Sequence, residues 1–205
     1  MNDPMSVAIL AGGQSSRMGR DKSFVELAGK PLIAHVIERL SSLALPIMII
    51  ANQPEAYQAL GLPVFTDVLP DRSSLGGLYS AIYHSPSDYT LCVACDMPFL
   101  NPTLLAYLMS LCTGYDAIVP IIGEHPQGLH AIYRKTCLAP MRQRLEQNRL
   151  RIRDLFTQIN TCWVDEKTVR QYDGDLNSFM NINTPEVLDA VNLNKSFKRK
   201  DKDTE

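Results

Sequence analysis

Short apolar runs alternate with helix-period patterns over about the first 120 residues, and this alternation limits the possible folds more than any other feature of the chain. Ser6–Leu10, Ile47–Ala51, Val64–Thr66, Tyr89–Ala94 and Ala117–Pro120 read as buried strands. Between them, Pro31 suits the first turn of a helix in which Leu32, Val36, Ile37 and Leu40 recur at helical spacing. Further helices are expected at Glu55–Leu60, Gly76–His84 and Pro102–Cys112, with a polar loop at Asp67–Ser74. Strand and helix in turn imply an α/β fold of three layers, a mostly parallel sheet flanked by helices. Such sheets bind ligands beyond the carboxyl ends of their strands. The loops after Leu10 and after Ala94 are therefore expected at one edge.

Beyond Pro120 the pattern loosens. Leu129–Tyr133 and Cys162–Val164 read as strands, Leu138–Gln147 and Ile152–Ile159 as helices. A last helix is expected from Thr184-Pro185-Glu186, with Thr184 as its cap. From Asn194 the chain is charged and poor in core residues, which gives one domain over 1–193 and a frayed tail over 194–205. A net charge of -2 offers no basic face for nucleic acid. No apolar run approaches the ~20 residues of a membrane helix, and Ser6–Ala11, behind an N-terminus without cations, is too short for a signal peptide. The five cysteines, an odd number spread through apolar segments, fit reduced thiols in a cytoplasmic protein. Cys92 and Cys95 form a C-x-x-C without a second pair, and on a strand their thiols point to opposite faces, which disfavours zinc.

The first strand runs into Leu10-Ala11-Gly12-Gly13-Gln14-Ser15-Ser16-Arg17-Met18-Gly19-Arg20-Asp21-Lys22. Consecutive glycines let the backbone approach a ligand closely with its N–H groups. Ser15 and Ser16 add hydroxyl donors, and Arg17 and Lys22 add cations, so three kinds of phosphate-binding group fall in one loop. The segment is not a P-loop, because Gly13 to Gly19 is too long and Arg20 follows. It is not a dinucleotide fingerprint either, since no helix opens before Pro31.

Asp96 ends the Tyr89–Ala94 run, before Pro98. A carboxylate there serves either as a helix cap or as a ligand; its apposition to a phosphate loop favours Mg²⁺, which takes one or two carboxylates plus substrate phosphates. Asp67, at the same edge, reads as a turn residue before Pro70 or as a ligand group. Asn181 and Asn183, two apart, face one side of an extended segment or cap a turn. No histidine stands near the loop serines, so nucleophilic hydrolysis is unsupported.

The run L-A-G-G-x-S-x-R-M-G-x-D-K, followed by Gly29-Lys30-Pro31-Leu32, resembles the opening of the molybdenum cofactor guanylyltransferases. Asp67 with the loop to Gly77, Cys95-Asp96-Met97-Pro98 and Phe179-Met180-Asn181-Ile182-Asn183-Thr184-Pro185 match in the same order, over roughly residues 6–192. The resemblance implies a Rossmann-like nucleotidyltransferase fold and transfer of GMP from GTP to a molybdopterin-type acceptor. It further implies nucleotide contacts from Leu10, Ala11, Gly12 and Gly13, terminal phosphates on Arg17 and Lys22, the essential metal on Asp96, and the nucleoside at Asp67. Asn181 and Asn183 fall on the acceptor side, His130 is a candidate acceptor contact, and a delivery protein is a candidate partner. Cytidine-using relatives usually show Leu-Ala-Ala-Gly, so Gly12-Gly13 favours guanine. A cytidylyl- or sugar-phosphate transferase, or a non-catalytic GTP-binding regulator, are the alternatives. Two departures stand out: Ser73-Ser74-Leu75-Gly76-Gly77 replaces the common Gly-Pro-Leu-x-Gly, and Gln127-Gly128-Leu129 replaces Gln-Pro-Leu.

Overall fold

The computed structural model describes residues 5–11, 21–70 and 73–191. Its eight-stranded sheet is built around β1 (Met5–Leu10), which pairs in parallel with β4 (Ile47–Ile50) on one side and β6 (Tyr89–Ala94) on the other. β5 (Val64–Phe65) extends the sheet beyond β4, also in parallel. On the far side of β6 lie β9 (His130–Arg134), β7 (Ala117–Ile122) and β10 (Thr161–Val164). The expected α/β layering is thus present, with one orientation the apolar runs do not encode: β9 is antiparallel to both β6 and β7. β8 (His125–Pro126) folds back on β7 as a short hairpin, and β2 (Glu26–Leu27) pairs with β3 (Lys30–Pro31) in a separate one.

Side chains alternate across the sheet and feed two cores. Val7 and Ile9 of β1 and Leu91 and Val93 of β6 pack against Ile33, Val36 and Leu40 of α1 (Leu32–Ser41) and Leu104, Leu105 and Leu108 of α3 (Pro102–Ser110). Ala8 and Cys92 face the other way, toward Leu75 and Leu78 of α2 (Ser73–His84) and Met141 and Leu145 of α4 (Leu138–Glu146). Cys92 and Cys95 accordingly lie in opposite cores, as their spacing on a strand requires, and all five cysteines are thiols. The short α5 (Glu166–Val169) follows β10 on the first face.

Several boundaries shift for identifiable reasons. Pro31 caps α1 from outside rather than opening it, because it still pairs with Glu26 in the β2–β3 hairpin. That hairpin turns through Ala28 and Gly29, both at positive φ, the pattern of a tight two-residue turn. Glu55–Leu60 and Ile152–Ile159 form 3-10 turns at Pro54–Leu60 and Ile152–Thr157. α2 starts at Ser73, not Gly76, and absorbs the glycine pair into its first turns. Residues 185–191 are helical, and Thr184 Oγ1 accepts from the Val187 N–H, as the capping signal implied. The tail over 194–205 lies outside the described residues. Among the described residues, no helix is long and apolar enough to cross a membrane.

Candidate active site

The chain visits β4 and β5 on one side of β1 before returning to β6 on the other, so the strand order reverses between β1 and β6. A crevice at the carboxyl ends of two strands forms at such a point. Leu10 and Ala94 end level with each other, and the Leu10 carbonyl accepts from the Cys95 N–H at 3.1 Å. The Ala11 N–H donates to Ile50 O at 2.9 Å, which fixes the exit from β1. Gly12, Gly13 and Arg17 lie outside the described residues.

Four of the expected site residues, Lys22, Asp96, Asn181 and Asn183, fall together past that exit. Lys22 Nζ donates to Asn183 Oδ1 at 2.8 Å. The Asp96 carboxyl is held above the usual carboxylate range by burial, opposed by the nearby Lys22 charge and by its own backbone N–H. Asn181 and Asn183 flank Ile182, whose side chain is fully buried with Leu27 and Leu32 and whose N–H donates to Asp96 O at 2.9 Å. Alternation then turns the two asparagines away from Ile182. Asn181 Oδ1 is buried and has no hydrogen-bond partner among the described residues. An ionised carboxylate and an amide oxygen with an open lone pair are the hard oxygen donors that suit a divalent cation completed by phosphates. Among the described residues, no group of three or more His, Cys, Asp or Glu side chains forms a metal cluster.

Asp67 stands apart from this group, beyond the end of β5. Its N–H donates to Asn52 Oδ1 at 3.1 Å and its Oδ2 accepts from Asn52 Nδ2 at 2.9 Å, while Oδ1 is buried and has no hydrogen-bond partner among the described residues. The next residue is tied to α2, where Ser80 Oγ accepts from the Val68 N–H and donates to Gly76 O. Gly77 shows why a glycine occupies this turn of α2. A Cβ there would meet Leu10 Cδ2 at 3.3 Å and Asp67 Oδ1 at 3.7 Å. Asn52 escaped the sequence reading; its only signal was its place just past the end of a parallel strand.

His130 needs correction as a candidate acceptor contact. It is fully buried, its ring lies 4.6 Å from that of Phe179, and burial lowers its pKa to about 4. Strand alternation on β9 puts it on the same face as Ile132, inside the core rather than in the crevice.

Residues 7–162 match the MobA-like NTP transferase domain. The chain belongs to this family. A probable molybdenum cofactor guanylyltransferase of Natranaerobius thermophilus is 38% identical over 197 residues, covering 93% of this chain and 96% of the relative. The molybdenum cofactor guanylyltransferase of Vibrio campbellii is also 38% identical, covering 89% and 92%. Among solved structures, molybdopterin-guanine dinucleotide biosynthesis protein A of Archaeoglobus fulgidus superposes with a TM-score of 0.82 at 28% identity, covering 94% of this chain and 99% of that one. This MobA-like NTP transferase thus has the nucleotidyltransferase fold over nearly its whole length.

Proposed function

We propose that this chain transfers the GMP unit of GTP to the terminal phosphate of a molybdopterin-type acceptor, forming the guanine dinucleotide and releasing pyrophosphate. The observation that carries the reading is the gathering of Lys22, Asp96 and the Asn181–Asn183 pair beside the ends of β1 and β6. An acceptor phosphate oxygen forms a bond to the α-phosphorus, and the bond from that phosphorus to the α–β bridging oxygen breaks. Its electron pair leaves with pyrophosphate. A phosphate monoester is an anion near neutral pH, so no general base is required, and positioning and charge neutralisation do the work.

Lys22 is placed to hold the terminal phosphates, exchanging its hydrogen bond to Asn183 for phosphate oxygens, with Arg17 assigned the same duty from its place in the glycine loop. Asp96 and Asn181 are the residues that would hold Mg²⁺, which when bound neutralises phosphate charge and polarises the α-phosphate. Leu10, Ala11, Gly12 and Gly13 supply backbone to the nucleotide. The open Asp67 Oδ1 beside Asn52 offers an acceptor for the N–H groups of guanine. Asn181 and Asn183 border the acceptor. The thiol state of every cysteine suits a reducing compartment, and we assign the chain to the cytoplasm.

Pyrophosphate release in the presence of GTP, Mg²⁺ and purified acceptor tests the reaction, and thermal shifts with GTP, CTP, ATP and UTP test the base. Release that needs both GTP and acceptor is expected, with selective stabilisation by GTP. Selective stabilisation by another nucleotide would overturn the base assignment, and no release would overturn the reaction.

A further inference from the structure

Tyr57 lies on the Pro54–Leu60 turn, outside every motif of the glycine loop and of the Asp96 segment, yet its hydroxyl binds the end of the first and is linked to the second through Ser23. The side chain is 1% exposed. Its hydroxyl donates to Asp21 Oδ2 at 2.6 Å, while Asp21 Oδ1 accepts from the Ser23 N–H at 3.0 Å and caps the 3-10 turn Lys22–Phe24. Ser23 Oγ lies 2.8 Å from Tyr57 Oη, a hydrogen bond in which either hydroxyl can be the donor. Ser23 Oγ also reaches Cys95 Sγ at 3.3 Å, one residue before Asp96. Burial first, then the bond to Asp21, push the phenol pKa up, so it stays a neutral donor.

Both neighbours of Lys22 are therefore fastened to one buried hydroxyl, and the same chain of bonds ends beside Asp96. Lys22 itself has a flexible four-carbon stem whose freedom must be lost when it binds phosphate. Fixing the backbone beneath it is the means by which that loss is reduced before a ligand arrives. A bond from a buried hydroxyl to a carboxylate is charge-assisted and short, the kind that holds a segment in one place.

We infer that Tyr57 is a positioning residue for nucleotide binding, acting through Asp21 and Ser23 to set where Lys22 presents its ammonium group to the triphosphate. The inference rests on the assignment of Lys22 to the terminal phosphates. It gives a function to a residue that touches no ligand and that a purely structural role would leave with an effect on folding only.

The test is a double-mutant cycle on the full chain, with GTP and GMP affinities measured by titration calorimetry in magnesium buffer for wild type, Tyr57→Phe, Lys22→Ala and the double variant. Phenylalanine keeps the ring and its contact with Phe24, at 5.0 Å between centroids, and removes only the hydroxyl. Lys22→Ala is expected to weaken GTP more than GMP. Tyr57→Phe is expected to weaken GTP about threefold or more and leave GMP unchanged, and to have no further effect once Lys22 is alanine. Equal weakening of GTP and GMP, no weakening, or the same loss in both backgrounds would overturn the inference and leave Tyr57 a core hydrogen bond. If Lys22→Ala alone fails to separate GTP from GMP, the phosphate assignment of Lys22 falls first and takes the inference with it. Should Tyr57→Phe not fold, Ser23→Ala replaces it at the same corners of the cycle, because it removes the Ser23 arm of the network and leaves the charge of Asp21 in place.

Discussion

Gly128 stands in the turn between the β7–β8 hairpin and β9, and a methyl group added there would fall 2.7 Å from Ile152 Cγ2 and 3.4 Å from the Tyr133 hydroxyl. That hydroxyl donates to the Gly128 carbonyl at 2.8 Å, so the turn is held from below. Ile152 Cγ2 is a branch at the β-carbon, stiff at χ1, and its Cβ is only 3.7 Å from the added methyl, so rotation offers little relief. Overpacking of this kind costs about 1–3 kcal/mol. Against it, alanine reduces the freedom of the unfolded chain and contributes about 0.4–1 kcal/mol of stability. The net destabilisation for Gly128→Ala is then about 1–2 kcal/mol, which for a chain of this size lowers Tm by roughly 2–8 °C. Thermal unfolding followed by circular dichroism should show this drop. In the Ile152→Ala background the clash is gone and only the unfolded-state gain remains, so Gly128→Ala should there raise Tm by a degree or more. A fall of the same size in both backgrounds would refute the packing account of this turn.

Two further predictions concern titrating groups. Asp96→Asn should lose roughly 100-fold or more of turnover and yet raise Tm at neutral pH. The folded pKa of Asp96 is raised, so its charge weakens the fold as pH rises through that value; the gain in Tm should vanish in acid, where the wild-type carboxyl is protonated, and an equal gain at every pH would refute the burial argument. His130 behaves in the opposite sense, because its folded pKa of about 4 lies below the ordinary 6.5. Between these values the unfolded chain binds the proton and the folded one does not, so about 3 kcal/mol of stability present above pH 6.5 is lost as pH falls toward 4. His130→Leu should flatten that acid limb in a pH series of melts, and an unchanged limb would show that other groups cause it.

The parallel half of the sheet was legible because buried strands flanked by helices leave continuous apolar runs, as at Ser6–Leu10 and Tyr89–Ala94. The direction of β9 was not, since an apolar run reads the same in a strand of either sense. The start of α2 was missed because two glycines lower helix propensity, whereas the room left beside Leu10 accounts for the glycine at 77. The segments that carry Lys22, Asp96 and Asn183 stood out in the sequence, and the fold brings these residues together. Asn52 and Tyr57 did not stand out, because their importance lies in hydrogen bonds to Asp67 and Asp21, fifteen and thirty-six positions away, and such pairings leave no local pattern.

The reversed strand β9 has an effect on how the site can change. Strands β1, β4, β5, β6 and β7 deliver their ends to one edge, whereas β9 begins there, with His130 opposite Val93. The β8 segment over 125–126 and the turn over 127–129 therefore form a connection that leaves β7 and enters β9 at the same edge of the sheet. Residues can be added to it or exchanged without altering the register of β1 against β6, and hence without moving Leu10 or Asp96. That edge of the sheet can therefore vary in sequence and length on the β7–β9 side while the β1–β6 side stays as it is.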